Sequence, residues 1–287
     1  MRYGICILPD MPWRDARPLW QRAEEMGLHH AWTYDHLVWG GLPDARWFSC
    51  TPTLAAAASV TDRIKLGTYV ISPNFRHPVS TSREVQTMVD ISDGRLLLGL
   101  GAGGTPDDGL LGQAPLTPKQ KVDRFQEFTL LLDRTLREDH VDADGDYYSA
   151  RDMRLVGGEV RSRVPLILAG NGPRSVRFAA RTGDAWLTTG PSTDSLDDWF
   201  AAVASNHALA SDTAAATGRT IDTYLNLASA PASVLESVGR FDEMAGRAAH
   251  IGFSDIIVHW PRDDEPYRGD VAVLDALAER GFETHRD

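Results

Sequence analysis

Two polar residues, Asp35 and His36, directly follow an apolar run at residues 31–34 of the 287-residue chain. Histidine donates or accepts a proton near neutral pH, and a neighbouring carboxylate can orient its ring. At the carboxyl end of a strand, such a pair would lie within reach of a bound ligand. The pair therefore indicates acid–base chemistry, with a hydrogen-bonded loop pair as the alternative. We expect no metal site, because His29, His30 and His36 do not form a facial set of ligands.

A glycine-rich segment at residues 99–104 reads Gly-Leu-Gly-Ala-Gly-Gly. It matches the dinucleotide-binding motif G-x-G-x-x-G, but that motif opens a helix, whereas Thr105, Pro106 and Asp107 follow it here. We therefore exclude a nicotinamide site of that kind. Because glycine lacks a Cβ, we expect the backbone here to pass close to a flat ligand.

A second glycine turn reads Ala-Gly-Asn-Gly-Pro-Arg at residues 169–174, directly after a predicted strand. Pro173 suits the first position of a helix, and the free N–H groups at a helix N-terminus bind anions. Arg174 would add a positive charge. The turn predicts a phosphate site, and a plain strand–helix turn is the alternative.

Short apolar runs alternate with amphipathic segments along the chain. Near-continuous apolar strands are typical of a parallel sheet that is buried on both faces. Eight strand–helix pairs predict a single α/β domain over residues 1–287, a (β/α)8 TIM barrel; a doubly wound sheet is the alternative. The predicted strands are residues 3–8, 30–34, 64–71, 95–99, 165–169, 185–189, 223–228 and 255–260.

Three of the predicted loops are unusually long. They cover residues 37–51 after the second strand, 101–116 after the fourth and 136–164 before the fifth, where residues 146–148 predict a small hairpin. Loops of this length in a compact domain are usually functional. The first two leave the carboxyl ends of strands, where the active sites of TIM barrels lie.

Aromatic residues concentrate near the predicted barrel mouth. An apolar wall with a few polar groups suits a largely uncharged or cyclic small-molecule substrate. Packing in a subunit interface is the alternative. The candidate substrate residues are Trp39, Trp47, Phe48, Phe75, His259 and Trp260.

The composition limits the possible partners. A net charge of -11 disfavours binding to phosphate backbones, so we expect no nucleic-acid partner. No apolar run reaches the roughly 18 residues that span a bilayer, so we expect no membrane partner. Cys6 lies in a predicted strand far from Cys50, and buried free thiols agree with a cytoplasmic location.

Several segments together resemble the luciferase-like monooxygenase superfamily of flavin and deazaflavin barrels, over roughly the first two-thirds of the chain. Residues 66–76, Leu-Gly-Thr-Tyr-Val-Ile-Ser-Pro-Asn-Phe-Arg, are most similar to the branch that uses coenzyme F420, a deazaflavin. The other segments that carry the resemblance are residues 23–27, 31–36, 92–95, 99–101, 165–170 and 179–186.

The resemblance implies an F420-dependent oxidoreductase that moves a hydride between the deazaflavin C5 and a small organic substrate, in a homodimeric protein. His36 would be the catalytic proton donor or acceptor, assisted by Asp35. An FMN-dependent monooxygenase and a non-catalytic cofactor-binding barrel are the alternatives. A cis peptide bond at Tyr69–Val70 would back the ring. The residues implied to bind the cofactor are Asp35, His36, Tyr69, Val70, Ala102, Gly103, Ala169, Gly170, Asn171, Gly172, Pro173, Arg174 and Thr189.

Two departures from that branch concern the substrate. Its sugar-phosphate dehydrogenases carry a catalytic glutamate where this chain has Gly104, and a phosphate-binding lysine after the sixth strand, where this chain has none. No lysine follows Lys121 at all. We therefore expect a substrate with a C=N, C=O or C=C bond, and not a sugar phosphate. Asp107 and Asp108 are the candidates for a replacement carboxylate.

Overall fold

The computed structural model describes residues 1–104, 107–155 and 163–282. Within these ranges, eight parallel strands close into a barrel. The barrel strands are β1 (Arg2–Cys6), β2 (His30–Tyr34), β3 (Lys65–Tyr69), β4 (Leu96–Leu100), β7 (Leu166–Ala169), β8 (Ala185–Thr188), β9 (Asp222–Asn226) and β10 (Asp255–His259). Around the barrel, their order is β1-β10-β9-β8-β7-β4-β3-β2.

The connections between the barrel strands are mainly helical. None of the helices in the described part of the chain is long and apolar enough to cross a membrane. The helices are α1 (Trp13–Glu25), α2 (Cys50–Ala58), α3 (Pro78–Ile91), α4 (Asp107–Leu110), α5 (Pro118–Arg137), α6 (Pro173–Thr182), α7 (Leu196–Ala215), α8 (Val238–Ile251) and α9 (Val271–Arg280).

The closed barrel confirms the predicted fold, and the doubly wound alternative is wrong. Each predicted strand overlaps a barrel strand, with ends that differ by one or two residues at most. The predicted hairpin is also present, as the antiparallel pair β5 (Val141–Asp144) and β6 (Ser149–Met153). Residues 105–106 and 156–162 of the predicted loops at 101–116 and 136–164 lie outside the described residues.

Alternation along the strands separates two apolar clusters. Successive strand residues face opposite sides of a sheet. In β2, Trp32 therefore joins the cluster inside the barrel, whereas Ala31 joins the cluster between strands and helices. The inward tryptophan needs room, which Gly67 on β3 provides. A Cβ at Gly67 would lie 2.0 Å from an indole carbon of Trp32.

A polar network lies at the amino-terminal end of the barrel. The fully buried Asp255 of β10 accepts hydrogen bonds from Arg2 Nε at 2.8 Å and Arg2 Nη2 at 2.7 Å. His30 Nδ1 accepts from the indole N–H of Trp32, so His30 Nε2 carries a hydrogen and donates to Asp255 at 3.1 Å. Burial alone would raise the pKa of Asp255, but these hydrogen bonds outweigh burial and hold that pKa below its usual value. The network therefore ties β1, β2 and β10 together.

Replacing Asp255 with asparagine should lower the free energy of unfolding by about 2–3 kcal/mol at neutral pH, because Arg2 and His30 lose the charge that they surround. The contribution of this carboxylate is present above its unfolded-state pKa of about 3.9, and is lost as pH falls through the lower folded-state pKa. Urea denaturation should show a constant difference in the free energy of unfolding between the wild type and Asp255→Asn above about pH 5. That difference should narrow below about pH 4.

Asp242→Asn is the matched control for this experiment. Asp242 pairs with Arg280 at 2.7 Å, and both side chains are about half exposed. Loss of such a surface pair should cost less than about 1 kcal/mol. Equal losses in the two variants would mean that the buried network adds nothing beyond an ordinary surface ion pair.

Candidate functional site

The carboxyl ends of five adjacent strands, β2, β3, β4, β7 and β8, form one continuous part of the barrel rim. Because these strands are parallel, the residues that follow them lie side by side at the end where barrel active sites occur. We call the half-buried residues at these ends the rim site. They are His36, Val70, Ala102, Gly103, Ala169, Gly170 and Thr189, all of which the sequence had suggested as cofactor contacts.

Asp35 has a different environment from His36. It is 2% exposed, and its two carboxylate oxygens accept hydrogen bonds from Arg76 Nε at 2.8 Å and Arg76 Nη2 at 2.7 Å. Burial raises the pKa of Asp35, although the Arg76 guanidinium acts in the opposite direction. Arg76 also contacts Glu84 at 2.6 Å. Asp35 therefore holds Arg76 and does not orient His36, which corrects the expectation of a catalytic Asp35.

The carboxylate that contacts His36 is Asp107. Asp107 Oδ2 lies 2.7 Å from His36 Nδ1, and Asp107 Oδ1 accepts from the backbone N–H groups of Leu37 at 2.9 Å and Val38 at 3.2 Å. Asp107 is fully buried, whereas 22% of the His36 side chain is exposed. One carboxylate at the start of α4 thus fixes both the ring of His36 and the loop that follows β2.

The glycine-rich segment is shaped mainly by contacts with β3. A Cβ at Gly99 would lie 2.0 Å from the carbonyl oxygen of Thr68, and one at Gly101 would lie 2.6 Å from Val70 Cγ2. The peptide bond Tyr69–Val70 is cis, as the resemblance implied. The close contact that the glycines permit is therefore mainly one between β4 and the end of β3. A Cβ at Gly104 would have no atom of the described residues within 4 Å.

The turn before α6 is held by hydrogen bonds to β8. Asn171 Oδ1 accepts from Thr188 Oγ1 at 2.7 Å and from the Thr189 N–H at 3.2 Å, while Asn171 Nδ2 donates to Thr189 Oγ1 at 2.7 Å. Trp186 Nε1 donates to the carbonyl oxygen of Gly170 at 2.8 Å. These contacts leave the first turn of α6 exposed at the rim.

Arg174 does not supply the charge expected at this turn. Its guanidinium contacts the carboxylate of Asp123 on α5, and donates to Gln126 Oε1 at 3.2 Å. The Asp123 carboxylate also pairs with Lys119, and these contacts lower its pKa. Because Arg174 is paired across the surface with α5, any anion at the turn would depend on backbone N–H groups.

An aromatic cluster lies inside the barrel, next to the rim site. The ring of Tyr34 stacks on Tyr69 with centroids 5.4 Å apart, and meets Trp39 edge-on at 5.2 Å and Trp47 at 6.2 Å. Trp39 in turn stacks on Tyr267 at 5.8 Å. The long loop after β2 thus brings Trp39 and Trp47 to the barrel mouth, as expected from the sequence.

His259 belongs to the same cluster. Its ring centroid lies 3.6 Å from that of Tyr267, and its Nε2 lies 2.9 Å from the hydroxyl oxygen of Tyr34. Burial lowers the pKa of His259 to about 3, so the ring is neutral at neutral pH. His259 is therefore a hydrogen-bonding group of the barrel interior and carries no positive charge.

Two predicted substrate residues lie away from the mouth. Trp260 packs in the cluster between strands and helices, because it follows the inward-facing His259 and neighbouring strand residues face opposite sides. Phe48 is 39% exposed and lines a cavity against Met11 and Trp13 near α1. Neither side chain is part of the aromatic cluster, which argues against a place for them in a pocket formed there.

Phe75 occupies an intermediate position. It packs against the guanidinium of Arg76, with 5.3 Å from the Arg76 Cζ to the ring centroid. It also lines a cavity of about 540 Å³ together with Tyr147 and Tyr148 of the hairpin. This cavity lies beside the Asp35–Arg76 pair and is distinct from the aromatic cluster.

Sequence reasoning missed three residues that shape the site: Tyr34, Arg76 and Tyr267. Arg76 lies 41 residues from its partner Asp35, and Tyr267 lies 233 residues from Tyr34, whose hydroxyl it meets at 2.8 Å. Arg76 ends the segment that carried the family resemblance, but nothing in its spacing pairs it with Asp35. Only the closed barrel brings these groups together.

Curated relatives of the chain share a common name. F420-dependent glucose-6-phosphate dehydrogenases of Beutenbergia cavernae, Nocardia farcinica and Mycobacterium avium are 35%, 34% and 32% identical to it, over 172, 175 and 175 residues. Each match covers 58% of this chain and 50% of the relative. The chain thus spans about half the length of the curated relatives it matches.

Solved structures with the same architecture include enzymes of two kinds. The coenzyme F420 dependent tetrahydromethanopterin reductase from Methanopyrus kandleri has a TM-score of 0.72 at 18% identity, covering 91% of this chain and 93% of that one. A monooxygenase from Streptomyces bottropensis has a TM-score of 0.77 at 20% identity, covering 97% of this chain and 98% of that one. At these identities, the likeness supports the barrel fold alone.

The names of the curated relatives contradict one expectation. We excluded a sugar phosphate because Gly104 replaces a glutamate and because no lysine follows Lys121. Relatives up to 35% identical are named for glucose 6-phosphate, so the exclusion is wrong. Its physical weakness is that arginine, which supplies most of the positive charge of this chain, also binds phosphate.

The match to a family model extends over almost the whole chain. The model described as luciferase-like monooxygenase matches residues 1–282. This match confirms the resemblance that the separate segments suggested, and it includes every strand of the barrel. The chain belongs to the luciferase-like monooxygenase family.

Proposed function

We propose that this chain is an F420-dependent oxidoreductase acting on small organic molecules. The observation that carries the proposal is that the curated relatives described above, 32–35% identical, are all named as F420-dependent enzymes. The rim site supports it, because an exposed helix N-terminus and a half-buried histidine share one edge of the barrel. An FMN-dependent monooxygenase is the second candidate, favoured by the description of the family model.

The turn before α6 fits the phosphate of such a cofactor. Its N-cap residue, Gly172, offers no side chain to cap the helix, and a Cβ placed there would meet no atom of the described residues within 4 Å. The N–H groups of the first helical turn are therefore open to phosphate oxygens, and the helix dipole favours a negative charge at this end. Gly170, Asn171, Gly172 and Pro173 would form the cradle.

The deazaflavin ring would contact the ends of β3 and β4, where Val70, Ala102 and Gly103 are half buried. When bound, F420 supplies a carbon that accepts or gives a hydride. The protein positions the reactants and handles the proton. His36 is the group for that task, because it is part of the rim and 22% of its side chain is exposed.

A sugar phosphate is the first substrate class to test. Arg268 lines a cavity of about 260 Å³ whose wall also includes His259 and Tyr267 of the aromatic cluster. A guanidinium group binds phosphate through two parallel hydrogen bonds. We propose that Arg268 takes the place of the lysine absent from this chain, which would put the phosphate at the mouth of the barrel.

The first test is a titration of the apo-protein with F420 and, separately, with FMN. F420 fluorescence should change in a saturable way, with an affinity at least about tenfold higher than that for FMN. Addition of glucose 6-phosphate should then reduce the bound F420. Tight binding of FMN without any change in F420 fluorescence would replace this proposal with the monooxygenase.

A substitution of Gly172 by aspartate tests the phosphate cradle. Aspartate caps helix N-termini well, so Gly172→Asp should preserve or raise the melting temperature. Its carboxylate would also repel the cofactor phosphate, so F420 affinity should fall about tenfold or more. Gly172→Asn is the control, since asparagine caps equally well without a charge and should weaken binding less. Unchanged affinity in Gly172→Asp would place the phosphate elsewhere.

Replacing His36 with alanine should lower turnover by about 10²–10⁴-fold, the usual contribution of a positioned general acid or base. Affinity for F420 should stay within a small factor, because the cradle is untouched. Steady-state kinetics with glucose 6-phosphate and F420 titration measure the two effects. His250→Ala, at an exposed position of α8, is the control. Lost cofactor binding with normal turnover per bound cofactor would make His36 a binding residue.

A further inference from the structure

We infer that Asp107 is a positioning residue that keeps the ring hydrogen of His36 on Nδ1 and leaves Nε2 free to accept a proton. The inference rests on the proposed function and names the residue that decides which nitrogen of His36 exchanges the proton. Its basis is the contact of Asp107 with His36 and with the two backbone N–H groups that follow it.

The hydrogen bonds of Asp107 determine which nitrogen of His36 carries the hydrogen. A carboxylate only accepts hydrogen bonds. Its Oδ1 is engaged by the N–H groups of Leu37 and Val38, at 2.9 and 3.2 Å. The remaining oxygen, Oδ2, lies 2.7 Å from His36 Nδ1. The hydrogen of the neutral ring is therefore on Nδ1, and Nε2 keeps its lone pair.

A free lone pair on Nε2 makes His36 a base. Asp107 is fully buried while part of the His36 side chain is exposed, so the accessible part of this pair belongs to the ring. In the oxidation, the hydroxyl proton of the substrate moves to Nε2, and the C–H hydrogen leaves with its electron pair to the deazaflavin C5. The C–O single bond becomes C=O, and His36 then releases the proton to solvent.

In the opposite tautomer of His36, the ring hydrogen is on Nε2, so this nitrogen can donate a hydrogen bond but cannot accept a proton. If Asp107 is changed to asparagine, the two backbone N–H groups still require an acceptor, so the amide oxygen should take the place of Oδ1. The amide NH₂ group then faces His36 and donates to Nδ1. The ring hydrogen must move to Nε2, where it blocks the acceptance of a proton.

The neighbouring Asp108 offers a matched control on the same helix. It is also buried, at 8% exposure, but its carboxylate pairs with Lys121 and Arg124 and has no described contact with His36. Asp108→Asn should thus perturb α4 and its packing to a similar degree while leaving the hydrogen on His36 Nδ1.

The decisive measurement needs no cofactor. Two-bond ¹H–¹⁵N correlation spectra of the ¹⁵N-histidine-labelled apo-protein, at about pH 9, report which ring nitrogen is protonated, with His36 assigned by its absence in His36→Ala. We expect the hydrogen on Nδ1 in the wild type and in Asp108→Asn, and on Nε2 in Asp107→Asn. A hydrogen on Nε2 in the wild type, or no change in Asp107→Asn, overturns the inference.

Kinetic measurements on the Asp107 variants provide a second test of the inference. Asp107→Asn should bind F420 with wild-type affinity but oxidise substrate about 10²–10⁴-fold more slowly. Asp107→Glu, which keeps an acceptor, should recover part of the rate. Failure of F420 to bind the wild type refutes the proposed function itself. Normal F420 binding and wild-type turnover in Asp107→Asn would refute only the positioning role inferred here.

Discussion

The parallel closure of the barrel is the constraint on which the site depends. Register between neighbouring strands, such as Tyr34 opposite Tyr69 and Leu100 opposite Leu168, brings the carboxyl ends of β2, β3, β4 and β7 to one level. Residues that are far apart in sequence then meet without any local signal. The same register places the inward-facing side chains of these strands at similar heights in the barrel. The aromatic cluster is therefore the layer of side chains directly below the rim site.

The buried charges of the barrel divide into two groups with different tasks. At the amino-terminal end, Asp255 is enclosed by Arg2 and His30 and has no free acceptor toward a ligand, which is typical of a structural network. At the carboxyl end, Asp35 is occupied by Arg76, whereas Asp107 is bonded to a side chain that remains partly exposed. A buried carboxylate requires several hydrogen bonds in either place. What distinguishes the functional end is that one of those bonds reaches a group that can exchange protons.

The sequence predicted the features that depend on local pattern or on parallel topology. Apolar runs identified the strands, and polar residues after them identified the rim. The errors arose from contacts that topology alone does not specify. Arg174 is adjacent to the predicted phosphate turn, but Asp123 on a neighbouring helix holds its guanidinium. The alternation of side chains along β10 could have predicted that Trp260 faces outward. His259 and Trp260 are neighbours, and neighbouring strand residues face opposite sides of a sheet. A chain without lysine in this region can still bind phosphate, because the guanidinium groups of arginine serve the same purpose.

The open space at Gly104 bears on how the proton leaves the site. Among the described residues, nothing lies within 4 Å of a Cβ at this position, so none of their side chains fills the place that a glutamate would take. The carboxylate nearest to His36, Asp107, is enclosed by its three hydrogen-bond donors and fully buried. In the proposed reaction, the described rim offers His36 for proton transfer and no acid–base pair, so the same imidazole would take the proton and pass it on. Partial exposure of His36 meets that requirement, because a ring in contact with water can discharge between turnovers while the buried carboxylate keeps it in one orientation.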